Sequence, residues 1–258
     1  MASPVYWHLD KTVPGEVVPD KIVHHPSMPS DSLPSNSPSS DLPSPDSINR
    51  DYLTASWFNR PSPQVAADLI GCNLHRRIGE EVVTGQIVET EAYEAGDPAM
   101  YAYQTKTARN AVVFGPAGIT YIYRIYRQYH CFNIVTDRED FASTILIRAV
   151  HLDQRPSWID PNKDKLARVA AGPGKLCIAL QLDTALKGVS VEPDSGLWVS
   201  GRSDAVAQQL AQAQAITQTT RIGLSKGVDI PWRWYLTDSP AVSKKVSKRA
   251  SRKKQTQL

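Results

Sequence analysis

The chain has 258 residues, a formal net charge of +3 and a hydrophobic fraction of 41%, which is enough for a substantial core and fits one large domain or two small ones. No stretch approaches the roughly 20 consecutive apolar residues of a membrane-spanning helix, and the N-terminus lacks the apolar core of a secretory signal. The three cysteines are odd in number and widely spaced, which argues against a disulfide framework or a cysteine-rich zinc site and favours a reducing, intracellular compartment.

The two ends of the chain differ in composition from its middle. Residues 1–50 are rich in proline and serine and hold few groups able to form a core, so we expect a disordered leader. Residues 243–258 carry seven lysine and arginine residues and no acid, so we expect a disordered basic tail. Such a tail suits binding to a polyanion, a nuclear address or simple solubilisation. The folded domain is expected over residues 53–242.

The first half of the domain is predicted to hold one helix and four strands. The helix covers residues 62–70, with Ser62 as its cap and Gly71 at its end. Runs of β-branched and aromatic residues predict strands at 80–93, 119–126, 129–136 and 144–152. Arg127 and Gln128 lie near the turn between the second and third of these strands.

The second half is predicted to add two helices and a closing pair of strands. One helix opens at Gly172, and the other covers 205–216 with Ser203 or Asp204 as its cap. Residues 221–236 are predicted to form a strand, a loop and a strand. The order helix, strands, helices, strands fits a single α+β domain, in which a curved antiparallel sheet or barrel-like core is flanked by helices.

Two glutamates stand in the strand over 80–93, in the segment IVETEAY. The odd-numbered residues from Val83 to Tyr93, which include Glu89 and Glu91, share one face if the strand is unbroken. A buried acid is costly unless it is paired, so a carboxylate on a buried face fits a pocket with a chemical task. An exposed strand end would instead leave both acids solvated. The pattern alone does not choose between Glu89 and Glu91.

Arg148 is a charged residue inside the apolar strand segment TILIRAV. A buried guanidinium needs an anionic partner, and Glu89 or Glu91 is the natural candidate. On an edge strand, Arg148 would lie in water instead.

Two further segments carry groups that suit nucleic acid. One interleaves tyrosines with arginines: Tyr121, Tyr123, Arg124, Tyr126, Arg127 and Tyr129. Aromatic faces beside cations stack bases, at about 1–3 kcal/mol per base, although tyrosines also simply favour strands. The other is AAGPGKL, whose glycines can free backbone N–H groups to bind a phosphate or can form a tight structural turn.

From about Leu53 to Val242 the chain resembles the alkyladenine (3-methyladenine) DNA glycosylases. The resembling segments are IVETEAY, DPAMYAYQTKTARN, FGPAGITYIYRIYRQYHCFNIVT, ILIRAV, GPGKLC, RIGLSKG with PWRWYL, and DSPAVS. The most specific are IVETEAY and the tyrosine-rich run that ends in CFN. The resemblance implies a base-excision repair enzyme that flips an alkylated or deaminated purine out of the duplex and hydrolyses its N-glycosidic bond.

The resemblance also implies roles for single residues. Glu91 corresponds to the general base, and Arg148 to the arginine that holds the attacking water beside it. Tyr126 corresponds to the wedge that enters the duplex where the base has left. No lysine lies in the matching active-site strands, so we expect no Schiff base and no strand cleavage. The scheme requires no metal and no cofactor.

The base-binding residues follow from the same resemblance. Tyr93 and Tyr123 correspond to the aromatic walls around the flipped base, and Asn133 to the residue that screens out normal guanine. Tyr101 stands where the family commonly has a histidine that contacts the base, so the range of bases accepted is expected to differ.

Four residues are expected to contact the DNA backbone: Thr107, Arg109, Arg127 and Lys175. Arg127 stands where the family usually has glycine. If that position needs a positive φ, Arg127 strains the turn.

We expect a monomer whose partner is double-stranded DNA with damaged purines, not a membrane. Its expected location is the cytoplasm or nucleoid of a bacterium, or the nucleus if the source is a eukaryote. One alternative is a non-catalytic nucleic-acid-binding module of the same sheet type. A less favoured one is a metal-dependent nuclease that uses Glu89 and Glu91, which would need further carboxylates.

Overall fold

The computed structural model describes residues 52–100 and 105–246. The predicted leader over 1–50 and the predicted tail beyond 246 lie outside these ranges, so the division into leader, domain and tail stays a prediction. Within the described ranges, no helix is long and apolar enough to cross a membrane.

Along the described chain, two short helices precede five strands, and two further short helices lie among the last strands. The helices are α1 (Ala55–Phe58), α2 (Ser62–Asp68), α3 (Pro173–Ala179) and α4 (Asp204–Leu210). The strands are β1 (Asn73–Ile78), β2 (Glu81–Glu94), β3 (Thr120–Ile125), β4 (Tyr129–Val135), β5 (Ser143–Leu152), β6 (Leu197–Ser200), β7 (Ile216–Thr219) and β8 (Arg233–Leu236).

The strands form one antiparallel sheet, which confirms the predicted α+β class. Its main path runs β3-β4-β5-β2-β1-β6, and β8 pairs with both β2 and β7. The path branches because β2 is long. One edge of β2 pairs with β5, while the other edge pairs first with β1 and then, from Glu89 to Glu91, with β8. The two glutamates of β2 therefore lie where three strands meet.

Together, two helices pack against β2, which carries these acids, and against β4 and β5 of the same sheet. α2 packs on β2 and β5, and α3 packs on β4 and β5. α2 contributes Val65 and Ala66 to the main hydrophobic core, and α3 contributes Leu176 and Ala179. Burial of a side chain the size of Val65 or Leu176 stabilises the fold by about 1.5–3 kcal/mol. The strands are thus fixed from behind by ordinary apolar packing.

A β-bulge in β2 changes which residues face the core. The register between β2 and β5 shifts twice, so that Val88 on β2 and Arg148 on β5 lack a direct cross-strand partner. Before the bulge the odd-numbered Val83 belongs to the core, and after it the even-numbered Ala92 does. The prediction of one continuous face is therefore wrong. Because a bulge re-aims the side chains that follow it, Glu91 is free to point away from the core toward Arg148.

The predicted helix caps have different outcomes. Ser203 caps α4, because its hydroxyl accepts a hydrogen bond from the N–H of Val206 at 3.4 Å. The prediction for Ser62 is wrong: the cap position of α2 is Pro61, and the Ser62 hydroxyl donates to the carboxylate of Glu94 at 3.1 Å. A short polar side chain at a helix start can serve a distant acceptor as well as a local donor.

The helix predicted over 205–216 is too long. It ends at Leu210, and Ile216–Thr219 pairs instead with β8 as strand β7. The β-branched residues of this segment favour a strand, and an available partner strand decides the outcome. Of the closing strand pair predicted over 221–236, only the second strand, β8, lies in that range, because its partner β7 ends at Thr219.

His75 on β1 is expected to make stability depend on pH. Its ring contacts the hydroxyls of Thr84 at 2.9 Å and Ser200 at 2.8 Å and stacks on Trp198. Burial lowers the pKa of His75 from 6.5 to about 4. Between these values the unfolded chain binds a proton that the folded chain does not. The free energy of unfolding should therefore fall by roughly 1–2 kcal/mol between pH 7 and pH 4, after allowance for solvent screening.

Urea unfolding of the wild type and His75→Gln at several pH values measures this effect. Glutamine keeps hydrogen-bonding capacity but does not titrate, so the variant should lack this part of the pH dependence. Parallel curves for the two proteins would contradict the prediction.

Candidate active site

Glu91 is fully buried, and its carboxylate accepts hydrogen bonds from three parts of the chain. Oε2 accepts from the Tyr93 hydroxyl at 2.8 Å and from Nη1 of Arg148 at 3.1 Å. Oε1 accepts from the backbone N–H of Ile222 at 2.8 Å. A carboxylate has about four acceptor positions, so the donors found among the described residues leave room for a water on Oε1. These hydrogen bonds thus fix the orientation of the Glu91 carboxylate and leave one acceptor position of Oε1 for a water.

Glu89 holds the same arginine from the other side. Its Oε1 accepts from Nε of Arg148 at 2.9 Å, from Nε of Arg233 at 2.8 Å and from the Ser243 hydroxyl at 2.9 Å. Its Oε2 accepts from the N–H of Ser243 at 2.7 Å. Burial alone would raise the pKa of Glu89, but the charges of Arg148 and Arg233 and the Ser243 donors outweigh burial. The pKa of Glu89 therefore lies below its ordinary value, and the carboxylate is ionised.

A cavity of about 720 Å³ separates the roles of the two acids. All three partners of Glu91 line it, whereas among the partners of Glu89 described above only Arg148 does. The aromatic and larger apolar residues of its wall are Tyr93, Tyr123, Ile125, Tyr126, Tyr129, Leu146, Ile222 and Leu224. A volume between about 300 and 1,000 Å³ with mostly apolar walls is typical of a small-molecule site, and a purine fits within it. Glu91 is fully buried and does not itself line the cavity, but it is the acid whose three donors all do.

The two predicted aromatic walls are neutral phenols. Burial, together with neighbouring Glu91, raises the pKa of Tyr93, so its hydroxyl stays a hydrogen-bond donor to that carboxylate. Burial also raises the pKa of Tyr123, which lies on β3 beside Tyr121 with the ring centroids 5.3 Å apart. The structure thus brings Tyr93, Tyr123 and Arg148 together around the one cavity, although they are far apart in sequence.

The turn between β3 and β4 presents Tyr126 to solvent. Its side chain is 85% exposed, although it also contributes to the cavity lining. Tyr126 has a φ of 45° and Arg127 a φ of 65°, and both values lie in the left-handed region that favours glycine. Arg127 therefore does occupy a position that needs a positive φ, with a cost of about 1–2 kcal/mol. Arg127 is exposed at the hairpin tip beside the aromatic ring.

Asn133 is buried in β4 and lies behind the cavity wall. Its side-chain amide donates to the backbone carbonyl of Tyr121 at 3.0 Å. Its strand partner Leu146 lines the cavity, but Asn133 itself is not among the lining residues. Its assigned role in excluding guanine stays a prediction, and its direct contacts are with the sheet backbone.

The remaining site predictions fall in three places. Tyr101 lies outside the described residues. Thr107 and Arg109 are exposed in the loop before β3. Lys175, at the start of α3, lines the cavity, and its ammonium donates to both carboxylate oxygens of Asp164 at 2.9 and 3.0 Å.

Sequence reasoning assigned no role to three residues that donate to the two glutamates, Ile222, Arg233 and Ser243, nor to Arg221, which precedes Ile222. Arg233 had a usable signal, because it stands in the apolar segment PWRWYL as Arg148 stands in TILIRAV. Ile222 had none, because it acts through its backbone N–H. Apart from the resemblance, residues 221–236 were predicted only to form a strand, a loop and a strand, and Ser243 to begin the basic tail.

Comparison with known proteins places this geometry in a family. Residues 56–240 match the family described as methylpurine-DNA glycosylase. Proteins named "Putative 3-methyladenine DNA glycosylase" are 47% identical in Trichodesmium erythraeum (76% of this chain, 99% of that protein), 52% in Synechococcus sp. strain JA-3-3Ab (72% and 96%) and 43% in Methanoculleus marisnigri (75% and 99%). The aromatic cavity beside Glu91 thus lies in a chain that belongs to the methylpurine-DNA glycosylase family.

Proposed function

We propose that the protein acts in base-excision repair by hydrolysing the N-glycosidic bond of alkylated or deaminated purines in double-stranded DNA. The substrates would include 3-methyladenine, 7-methylguanine, hypoxanthine and ethenoadenine. The observation that carries the proposal is the buried carboxylate of Glu91, fixed by three donors that all line an aromatic cavity. Family membership favours this enzyme over a non-catalytic binding module.

The target base has to leave the duplex to reach Glu91. Extrusion costs a few kcal/mol, and less for a damaged base. Tyr126 at the hairpin tip would enter the duplex and fill the gap, which offsets part of that cost. The exposed side chain of Arg127 would then contact a neighbouring phosphate.

The cavity suits bases that carry positive charge. Alkylation at a ring nitrogen of a purine leaves the base cationic, and the electron-rich faces of Tyr93 and Tyr123 attract cations. Normal purines are neutral and lack this attraction. For purines made cationic by alkylation, selection in the cavity would therefore add to the easier extrusion of a damaged base, whereas the neutral hypoxanthine and ethenoadenine gain nothing from this attraction.

Hydrolysis would then proceed at the sugar carbon that bears the base. Glu91 takes a proton from water, and the oxygen of that water forms a bond to this carbon as the glycosidic bond breaks. The bonding electrons leave with the purine: a cationic base is thereby neutralised, and a neutral purine such as hypoxanthine takes a proton from solvent as it leaves. The negative charge of Glu91 favours the cationic sugar of the transition state. The products are the free base and an abasic site, without strand cleavage.

Lys175 deserves a direct test, because it lines the same cavity and an amine there could form a Schiff base. Its ammonium is paired with both oxygens of Asp164, and a Schiff base would have to break that pair. Borohydride treatment during turnover should trap no covalent complex with DNA. A trapped complex lost in Lys175→Arg would refute the monofunctional scheme.

The direct test of the function is base release by the full chain from duplexes with one 7-methylguanine, hypoxanthine or ethenoadenine. We expect free base and an alkali-labile site from damaged duplexes, and intact undamaged duplexes. EDTA should leave the rate unchanged, because the scheme uses no metal. Strand cleavage that EDTA abolishes would support the nuclease alternative, and binding without base release would support the binding module.

Truncation of the wedge should reduce excision without unfolding the protein. In Tyr126→Ala the gap left by the extruded base is unfilled, so we expect the single-turnover rate to fall by about 10-fold or more. The melting temperature should stay unchanged, because the ring is exposed. Tyr126→Phe keeps the ring and should keep the rate. Equal loss in both variants would show that the hydroxyl, not the wedge, matters.

A further inference from the structure

We propose that Arg221, held by Asp97, is a positioning residue that sets both the Tyr93 ring and the N–H of Ile222 against Glu91. The inference rests on the proposed function of the Glu91 cavity. It assigns a task to a buried ion pair that neither contacts the base nor takes part in proton transfer.

The first observation is the placement of the Arg221 guanidinium. Its central carbon lies 4.6 Å from the centroid of the Tyr93 ring and 5.5 Å from that of Trp232. Tyr93 lines the cavity, whereas Arg221 does not. The guanidinium therefore covers the face of Tyr93 that is turned away from the cavity. A planar cation stacked on a ring restricts how that ring tilts.

The second observation is how firmly the guanidinium is held. Nη2 donates to Oδ1 of Asp97 at 2.8 Å, and Nη1 donates to its Oδ2. Nη1 also donates to the carbonyl of Ala92 at 2.8 Å, and Nη2 to that of Gly227 at 3.3 Å. Both side chains of the ion pair are fully buried. Arg221 thus joins β2, the segment after β2 and the loop before β8 at one point.

The third observation is the link through the backbone. Ile222 follows Arg221 directly, and its N–H donates to Oε1 of Glu91 at 2.8 Å. Anchoring Arg221 therefore also fixes the donor that orients the carboxylate. The same guanidinium bears on the Tyr93 ring, whose hydroxyl donates to the other oxygen of Glu91 at 2.8 Å. One side chain thus supports two of the three donors to Glu91.

The pair is a poor choice if stability is its only purpose. A buried ion pair gains little over apolar packing, since both charges lose their water. Among the described residues, Nε of Arg221 also has no hydrogen-bond partner, which adds to the cost. The pair also requires glycine at position 227, because a Cβ there would lie 2.8 Å from Oδ1 of Asp97 and 3.0 Å from Nη2 of Arg221. These costs are explained if the ion pair positions the Tyr93 ring and the N–H of Ile222 against Glu91.

The test compares Arg221→Lys with the wild type on one damaged duplex. Lysine keeps the charge but has neither the planar face nor the two-pronged contact to Asp97. We expect the single-turnover rate of base release to fall about 10- to 100-fold, because displacement of a reacting group by about 1 Å has an effect of that size. The dissociation constant for undamaged DNA should stay within about twofold, since exposed cations set it.

Two further variants attack the same pair differently. Asp97→Asn is nearly isosteric and keeps the test open if Arg221→Lys does not fold. Gly227→Ala places a methyl group against both partners. Asp97→Asn and Arg221→Lys should be non-additive in rate, with the double variant close to the worse single one. Additive losses would overturn the inference, because they would show that the two residues act separately.

Arg202→Lys is the matched control. Arg202 is partly buried and, like Arg221, donates to backbone carbonyls, in its case those of Ala67, Asp68 and Ile70. It does not line the cavity. A purely structural role for Arg221 predicts that both variants lose melting temperature and keep the wild-type rate when assayed folded at low temperature. That result would overturn the inference. Lack of base release by the wild type itself would refute the proposed function instead.

Discussion

Glu91→Gln should abolish most base release while leaving the fold and DNA binding intact. The amide has nearly the shape of the carboxylate but cannot accept a proton from water. General-base catalysis typically contributes about 10²- to 10⁴-fold, so we expect the single-turnover rate to fall within or beyond that range. Arg148 would still be paired through Glu89, so no buried cation is left alone. Single-turnover kinetics on a hypoxanthine duplex would measure the loss.

The control for this variant comes from the same strand. Glu94 lies at the end of β2, and its carboxylate accepts from Ser62 rather than from a cavity residue. Glu94→Gln should keep the wild-type rate. The affinity of Glu91→Gln for the damaged duplex should lie within a few-fold of the wild type. A variant that retained more than about a tenth of the rate would remove Glu91 as the base.

Glu89→Gln should be the more damaging change for stability. Its carboxylate faces Arg148 and Arg233 and receives two further hydrogen bonds from Ser243. Glutamine removes the negative charge and places an N–H₂ group among donors, so two buried guanidinium groups lose their shared counter-charge. Removal of one partner from a buried ion pair costs about 3–5 kcal/mol. Urea unfolding at neutral pH would measure the decrease.

The pH dependence of the wild type supplies a second check on Glu89. Its pKa is lowered in the folded chain, so its contribution is present above the unfolded value and is lost as the pH falls through the folded one. Acid should therefore weaken the wild type more than Glu89→Gln. The exposed Glu80→Gln serves as a control and should leave the free energy of unfolding within about 0.5 kcal/mol. A similarly small change in Glu89→Gln would mean that Glu89 is dispensable for the arginine pair.

The sequence allowed the sheet and the main site residues to be predicted because their signals are local. The strands β3, β4 and β5 are runs of β-branched and aromatic residues, which patterning detects. Arg148 was marked by its apolar neighbours, and the structure pairs it with both candidate acids. Strand β1 was missed because only Leu74 among its six residues is buried, so it shows no alternation.

What could not be predicted depends on contacts between distant segments. The bulge at Val88 depends on the pairing of β2 with β5, and no residue type in β2 predicts it. The choice between Glu89 and Glu91 depends on which acid has partners that line the cavity, and this is a property of the tertiary structure. The donor from Ile222 is a backbone N–H and has no residue signature at all.

The backbone conformation of the hairpin tip affects the entropy change expected when the tip binds DNA. Tyr126 and Arg127 adopt positive φ without being glycines, and fewer backbone conformations are open to them in total than would be open to glycine. A segment whose backbone is already restricted loses little conformational entropy when it enters the duplex, so more of the binding free energy remains available to distort the DNA. If Tyr126 enters the duplex as proposed, glycine at position 127 would relieve strain in the free protein but would increase the conformational entropy lost on binding.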